Sequence, residues 1–205
     1  LIIAATFSAF LIFSYPSARI IRRVGYRRTM VLSFVIFAAG FLLFVPSARM
    51  GSLGLFLLAS FVCGIGNTVL QAAINPYITI LGPIESAARR ISIMGICNKL
   101  AWPVAPIFLA AGLGKEVSDA VLTDIDLPFY IIVGIFLCLG VLMLFAPLEE
   151  IKAAGEDEAD AADCPYAAGK TSLWQFPHLV LGAVALFLYV GVETLALATT
   201  VDYAA

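Results

Sequence analysis

The chain has 205 residues, a formal net charge of −2, 62% hydrophobic residues and a mean hydropathy of +1.02. Soluble domains average about 45 to 50% apolar residues, so water is not the main solvent of this protein. Of its twelve Lys and Arg, five crowd into Arg19, Arg22, Arg23, Arg27 and Arg28, which excludes a uniform basic face for nucleic acid and leaves a local asymmetry that bears on orientation.

A helix needs about 20 mostly apolar residues to cross a hydrocarbon core of about 30 Å, and only helices or closed barrels satisfy their backbone groups there. The long apolar runs therefore predict helices at about Leu1 to Ser14, Thr29 to Val45, Leu53 to Leu81, Ile91 to Leu113, Pro128 to Phe145 and Pro177 to Thr200. The chain opens inside an apolar run with no basic leader, so the first segment is not a signal peptide, and both ends are read as truncations. The fold class is an all-α polytopic membrane protein with six spans.

Lys and Arg in short loops set orientation. Nine of the twelve lie in the first, third and fifth loops, and the second and fourth hold only Arg49 and Lys115. The odd loops are thus predicted cytoplasmic. The fifth, Leu148 to Ser172, is rich in Ala, Asp and Glu (Glu156, Asp157, Glu158, Asp160, Asp163) and reads as a solvated linker. Its carboxylates do not follow EF-hand spacing. Cys63, Cys97 and Cys138 lie in apolar runs and Cys164 in a polar one, matching neither a zinc site nor a disulfide framework. No metal site and no cofactor are expected.

Polar residues inside a membrane are costly and are candidates for function. In the third span Asn67, Gln71 and Asn75 recur every four residues, forming one polar stripe about 12 Å long. Amides both donate and accept, which suits a neutral polyhydroxylated ligand; interhelical hydrogen bonding is the alternative. Pro76 predicts a kink; Gly64 and Gly66 either let a neighbouring helix approach closely, the commoner use, or add flexibility. In the fourth span Asn98 is read as a ligand contact. Lys99 is either a ligand or charge partner that changes during transport, or a static ion pair or a side chain reaching cytoplasmic water. Trp102 either stacks on a sugar or packs at an interface. Glu193, in Tyr189-Val190-Gly191-Val192-Glu193-Thr194, is the sole carboxylate well inside a predicted span; it is a proton carrier, a cation ligand, a sugar ligand or half of a salt bridge with Lys99. His178 reads as interfacial.

The run Gln71-Ala72-Ala73-Ile74-Asn75-Pro76-Tyr77-Ile78-Thr79-Ile80-Leu81-Gly82-Pro83, followed by Glu85-Ser86 and Arg90, resembles the signature of the fucose:proton symporter family of the major facilitator superfamily, especially its bacterial glucose/galactose transporter branch. Asn98-Lys99 and the segment around Glu193 extend the likeness over nearly the whole chain. The first loop, with Arg22, Arg23, Gly25, Arg27 and Arg28, is similar to the tail of the general facilitator loop motif, but Arg22 stands where that motif usually has Asp.

The resemblance implies a partial major facilitator fold. Its six helices would be helices two to seven of an expected twelve, with residues 1–147 in the N-terminal half, 148–176 as linker and 177–205 opening the second half. It implies that Arg22, Arg23, Gly25, Arg27 and Arg28 gate a cytoplasmic loop. It also implies a sugar contact for Asn98 and a site position for Gln71, where relatives carry a glutamate; Gln71 cannot carry a proton. The activity so implied is uptake of a hexose, glucose or galactose with fucose as an alternative, across a bacterial inner membrane by alternating access. The partners are the sugar, protons (sodium is the alternative) and the lipid bilayer, and a monomer is expected. The rival readings are a nontransporting sugar sensor, an inactive fragment and a membrane-embedded enzyme; an enzyme would need a nucleophile with its base, or a metal cluster, at membrane depth. No catalytic residue is assigned.

Overall fold

The computed structural model describes residues 2–113, 126–146 and 175–204. Lys115, Lys152, Lys170, Cys164 and the acidic linker lie outside the described residues. So do the side chains of Trp102 and Pro106. Six helices follow in order: α1 (Ile2–Val24), α2 (Tyr26–Met50), α3 (Leu53–Ile80), α4 (Ala87–Leu113), α5 (Asp126–Phe145) and α6 (Pro177–Ala204). A 3-10 turn at Ile84–Ser86 precedes α4. The first compact unit, Leu1–Ala153, holds α1 to α5, and the second, Ala154–Ala205, holds α6. Among the described residues, five of the helices are long and apolar enough to cross a membrane. The remaining helix, α4, has 27 residues and bears Arg89, Arg90, Asn98 and Lys99.

The first helix runs ten residues past the predicted stop at Ser14, because its polar residues are satisfied within it. Ser14 Oγ donates to Phe10 O and Ser17 Oγ to Phe13 O at 2.6 Å. Tyr15 supports Arg19 twice, accepting a 2.8 Å hydrogen bond at its hydroxyl and stacking under the guanidinium at 4.7 Å. Arg22 and Arg23 then close the helix, where cations complement the negative end of the dipole.

The basic stretch predicted as a loop is one residue wide. Only Gly25 lies outside the helices, with φ 86° and ψ 166°, a conformation that glycine adopts without steric penalty. Gly25 N donates to Ile21 O at 2.8 Å and its carbonyl accepts from Thr29 N and Thr29 Oγ1, so both helices are capped on the turn itself. At the other end of α2, Gly51 takes the left-handed conformation and Ser52 N donates back to Ser47 O, a Schellman-type stop. Ser52 then caps α3 by accepting from Leu55 N. This α3 runs unbroken to Ile80 with Pro76 inside it.

Glycines govern the packing. A Cβ on Gly64 would stand 2.6 Å from Thr6 O and 2.9 Å from Ala9 Cβ of α1, and one on Gly66 3.1 Å from the Phe37 ring of α2. Both are close-approach positions, the first of the two uses expected for them. Gly40 does the same from α2, where a Cβ would meet Cys63 Sγ at 2.6 Å. Helix α2 joins α5 through an aromatic seam. Phe136 stacks on Phe37 (4.9 Å) and on Phe41 (5.4 Å), and Phe129 sits against Phe41 and Phe44 at 5.7 and 5.4 Å. Near one end of the unit, Ile21, Tyr26, Met30, Ala73 and Tyr77 form a buried cluster shared by α1, α2 and α3.

Candidate functional site

Two kinds of face divide α3. Val69, Ala73 and Tyr77 are buried against the bundle, whereas Gln71 and Asn75 are exposed and Asn67 is half-buried. The amide stripe is therefore the outward-looking part of a helix whose Ser60, Thr68 and Thr79 hydroxyls are spent on its own backbone, Thr68 Oγ1 on Gly64 O at 2.8 Å. Within the stripe Gln71 Nε2 donates to Asn67 Oδ1 at 3.1 Å. That bond orients both amides and leaves the Gln71 carbonyl, its second N–H and the Asn67 amide N–H for other partners. An arrangement of fixed neutral donors and acceptors binds hydroxyl groups without desolvating a charge.

Asn98 and Lys99 lie on α4 with exposed side chains. No hydrogen bond among the described residues joins Asn98 to the stripe on α3, and Lys99 is engaged by another group. Trp102 stands one turn beyond Asn98. Glu193 is half-buried on α6 and also engaged, beside Thr194, whose hydroxyl donates to Val190 O at 2.8 Å. His178 is exposed in the first turn of α6.

The arginines around Gly25 separate into two sets. Arg22, Arg23 and Arg28 are exposed, whereas Arg27 is half-buried and donates Nε to Met143 O at 3.1 Å. Arg27 thus closes on the C-terminal turn of α5, where carbonyls lack helical partners. At the opposite end of the same pair, Arg49 from the last turn of α2 grips Asp126 in the first turn of α5, Nε at 2.9 Å and Nη2 at 2.5 Å from Oδ2. Each charge there suits the dipole of its own helix.

Arg90 makes five polar contacts, to four carbonyls and one hydroxyl, and reading the sequence for membrane-embedded polar groups passes it over. Its guanidinium serves Ile78 O, Thr79 O, Gly82 O, Pro83 O and Ser86 Oγ. A signal for it exists: α3 has no basic residue in its last turn, and Arg90 is an early cation on the next helix.

The Major Facilitator Superfamily model matches residues 1–203. The glucose/galactose transporter of Brucella abortus (strain 2308) is 35% identical over 191 residues, covering 91% of this chain and 45% of that protein. The L-fucose-proton symporter of Escherichia coli (strain K12) is 23% identical over 223 residues, covering 100% of this chain and 50% of its own. The crystal structure of the E. coli fucose:proton symporter superposes with a TM-score of 0.72 at 22% identity, over 93% of this chain and 52% of that one; at that identity the likeness concerns the fold. The chain thus spans about half the length of the curated relatives it matches. These matches bear out the resemblance drawn from the run Gln71 to Pro83 and the partial facilitator fold, and the chain belongs to the Major Facilitator Superfamily.

Proposed function

We propose that the protein moves a hexose across a bacterial inner membrane by alternating access, coupled to protons. The observation that carries this reading is the stripe of neutral amides on α3, with Gln71 and Asn75 exposed and half-buried Asn67 accepting a hydrogen bond from Gln71. The relatives named glucose/galactose transporter and L-fucose-proton symporter supply the substrate class and the coupling ion. Gln71 and Asn98 are the proposed sugar contacts. Asn67 orients Gln71, Asn75, Lys99 and Trp102 extend the site, and Glu193 is the coupling or sugar-binding acid. The turn at Gly25, with Arg22, Arg23, Arg27 and Arg28, is the proposed cytoplasmic gate.

Losing a hydrogen bond to a buried polar partner costs about 1 to 3 kcal/mol, and each 1.4 kcal/mol is about tenfold in affinity. Gln71→Ala and Asn98→Ala are each expected to weaken hexose binding about tenfold in the full-length protein in membrane vesicles, with labelled glucose and galactose as probes. Wild-type affinity in both correctly inserted variants rejects this site, and absence of labelled-sugar uptake by the wild type rejects transport.

The proposed orientation has its own test. In a cysteine-free background, cysteines at positions 22, 27 and 89 should resist an impermeant thiol reagent applied to intact cells, and one at position 49 should react. Labelling of position 89 from outside reverses the topology.

A further inference from the structure

We infer that Arg90 is a positioning residue that fastens the end of α3 to the start of α4 and so fixes Gln71 relative to Asn98; the second half rests on the sugar-binding reading above. The last carbonyls of a helix have no partner within it, and α3 brings no cation of its own to them. Arg90 fills that role from the next helix. Nε donates to Ile78 O at 2.9 Å; Nη2 donates to Thr79 O at 2.7 Å and Gly82 O at 3.4 Å; Nη1 donates to Pro83 O at 3.1 Å and to Ser86 Oγ. A guanidinium has five N–H donors in a fixed fan, one on Nε and two on each terminal nitrogen, and here all of them are used in that proportion.

The backbone is shaped to this cation. Gly82 has φ 155°, a backbone conformation that L side chains rarely adopt, and a Cβ there would stand in tight contact, 3.1 Å, with Arg90 Nη1. Among the described residues no carboxylate pairs with Arg90. Its charge is met by carbonyl dipoles at a helix C-terminus, the end that favours a cation. Lysine, with three donors on a point charge, cannot reproduce the fan.

The position of the joint gives it leverage. Gln71 lies eight residues before Thr79 and Asn98 eight residues after Arg90, so each amide stands about 12 Å along its helix from the joint. A change of 10° between the helices at the joint would shift one amide against the other by roughly 2 Å at that height. Errors of about 1 Å are enough to damage a binding constellation.

Two measurements on the full-length protein test the inference separately. Spin labels at positions 58 and 104, both exposed in the wild type and on the stretches of α3 and α4 beyond the joint, report the spread of distances between the helices. Arg90→Gln is expected to broaden that distribution, and Arg90→Lys to broaden it less; an unchanged distribution overturns the joint whatever the protein transports. The second measurement is a double-mutant cycle on glucose binding. Arg90→Gln should weaken affinity about tenfold alone but less than threefold in a Gln71→Ala background, because a residue that acts by placing Gln71 has little left to place. Fully additive losses overturn the positioning role even if the helices loosen. If Gln71→Ala has no effect on affinity, Gln71 is not a sugar contact and the positioning role fails, while the spin-label result still judges the joint and Asn98→Ala the rest of the site.

Discussion

Gly64→Val is expected to abolish recovery of folded protein from the membrane. The argument is steric. The first carbon added at Gly64 would lie 2.6 Å from the Thr6 carbonyl oxygen, 2.9 Å from Ala9 Cβ and 3.2 Å from Thr6 Cα. All three belong to the backbone or its first side-chain atom, so no rotamer change relieves the contact, and α1 and α3 must separate along their length. Overpacking in a well-packed core costs about 1 to 3 kcal/mol even for small insertions, and a β-branched side chain adds two more carbons to the same clash. Attraction between helices in a membrane comes largely from such close van der Waals contact, so lost packing is not offset by burial from water. Fluorescence-detected size exclusion after detergent extraction measures the result. Gly134→Ala on α5, where nothing lies within 4 Å of the added carbon, is the control and should extract normally or better, since alanine favours helix by about 0.5 to 1 kcal/mol. A monodisperse Gly64→Val protein with wild-type thermal stability would refute the packing described for α1 and α3.

The second large effect is expected at Glu193. On the proposed proton-coupled hexose transport, Glu193→Gln in the full-length protein should abolish uphill accumulation, and equilibrium exchange identifies the reason. A carboxylate that only carries a proton is dispensable for exchange at equal sugar concentrations, because its protonated form already permits the conformational change. Glutamine mimics that neutral form, so exchange would persist. A carboxylate that accepts a hydrogen bond from the sugar behaves differently: the amide weakens occupancy, and exchange and accumulation fall together, since each depends on the liganded population. Glu193 is half-buried on α6 and already engaged by another group, which is compatible with either role. Unchanged accumulation, exchange and apparent affinity would make it a structural residue.

Several features were legible in the chain because they depend on local order alone. The third helix was expected at Leu53 to Leu81 and spans Leu53–Ile80, because Ser52 offers an N-cap and Gly82 ends the apolar run. The first helix was expected to stop at Ser14 and does not; serine and tyrosine count as polar in a hydropathy sum, yet their hydroxyls bond within the helix. The stripe of Asn67, Gln71 and Asn75 follows from spacing. Its internal bond from Gln71 to Asn67 follows too, since residues four apart face each other on a helix.

Partner choice was not legible in the same way. Phe34, Phe37, Phe41 and Phe44 repeat at intervals of three, four and three, and Phe129 and Phe136 are seven apart, which marks a seam on each helix without saying that the two seams meet. In lipid, every apolar face is equally at home, so hydrophobicity does not select a neighbour and shape must. By itself, then, the sequence determined the membrane helices, the close-approach glycines and the polar stripe, because bilayer thickness and the helical repeat act on contiguous residues. The tertiary structure alone decided that α2 packs on α5 through stacked rings, that Arg27 and Arg49 fasten the two ends of that pair, and that Arg90 closes the end of α3. Each of these depends on which surfaces are complementary in three dimensions.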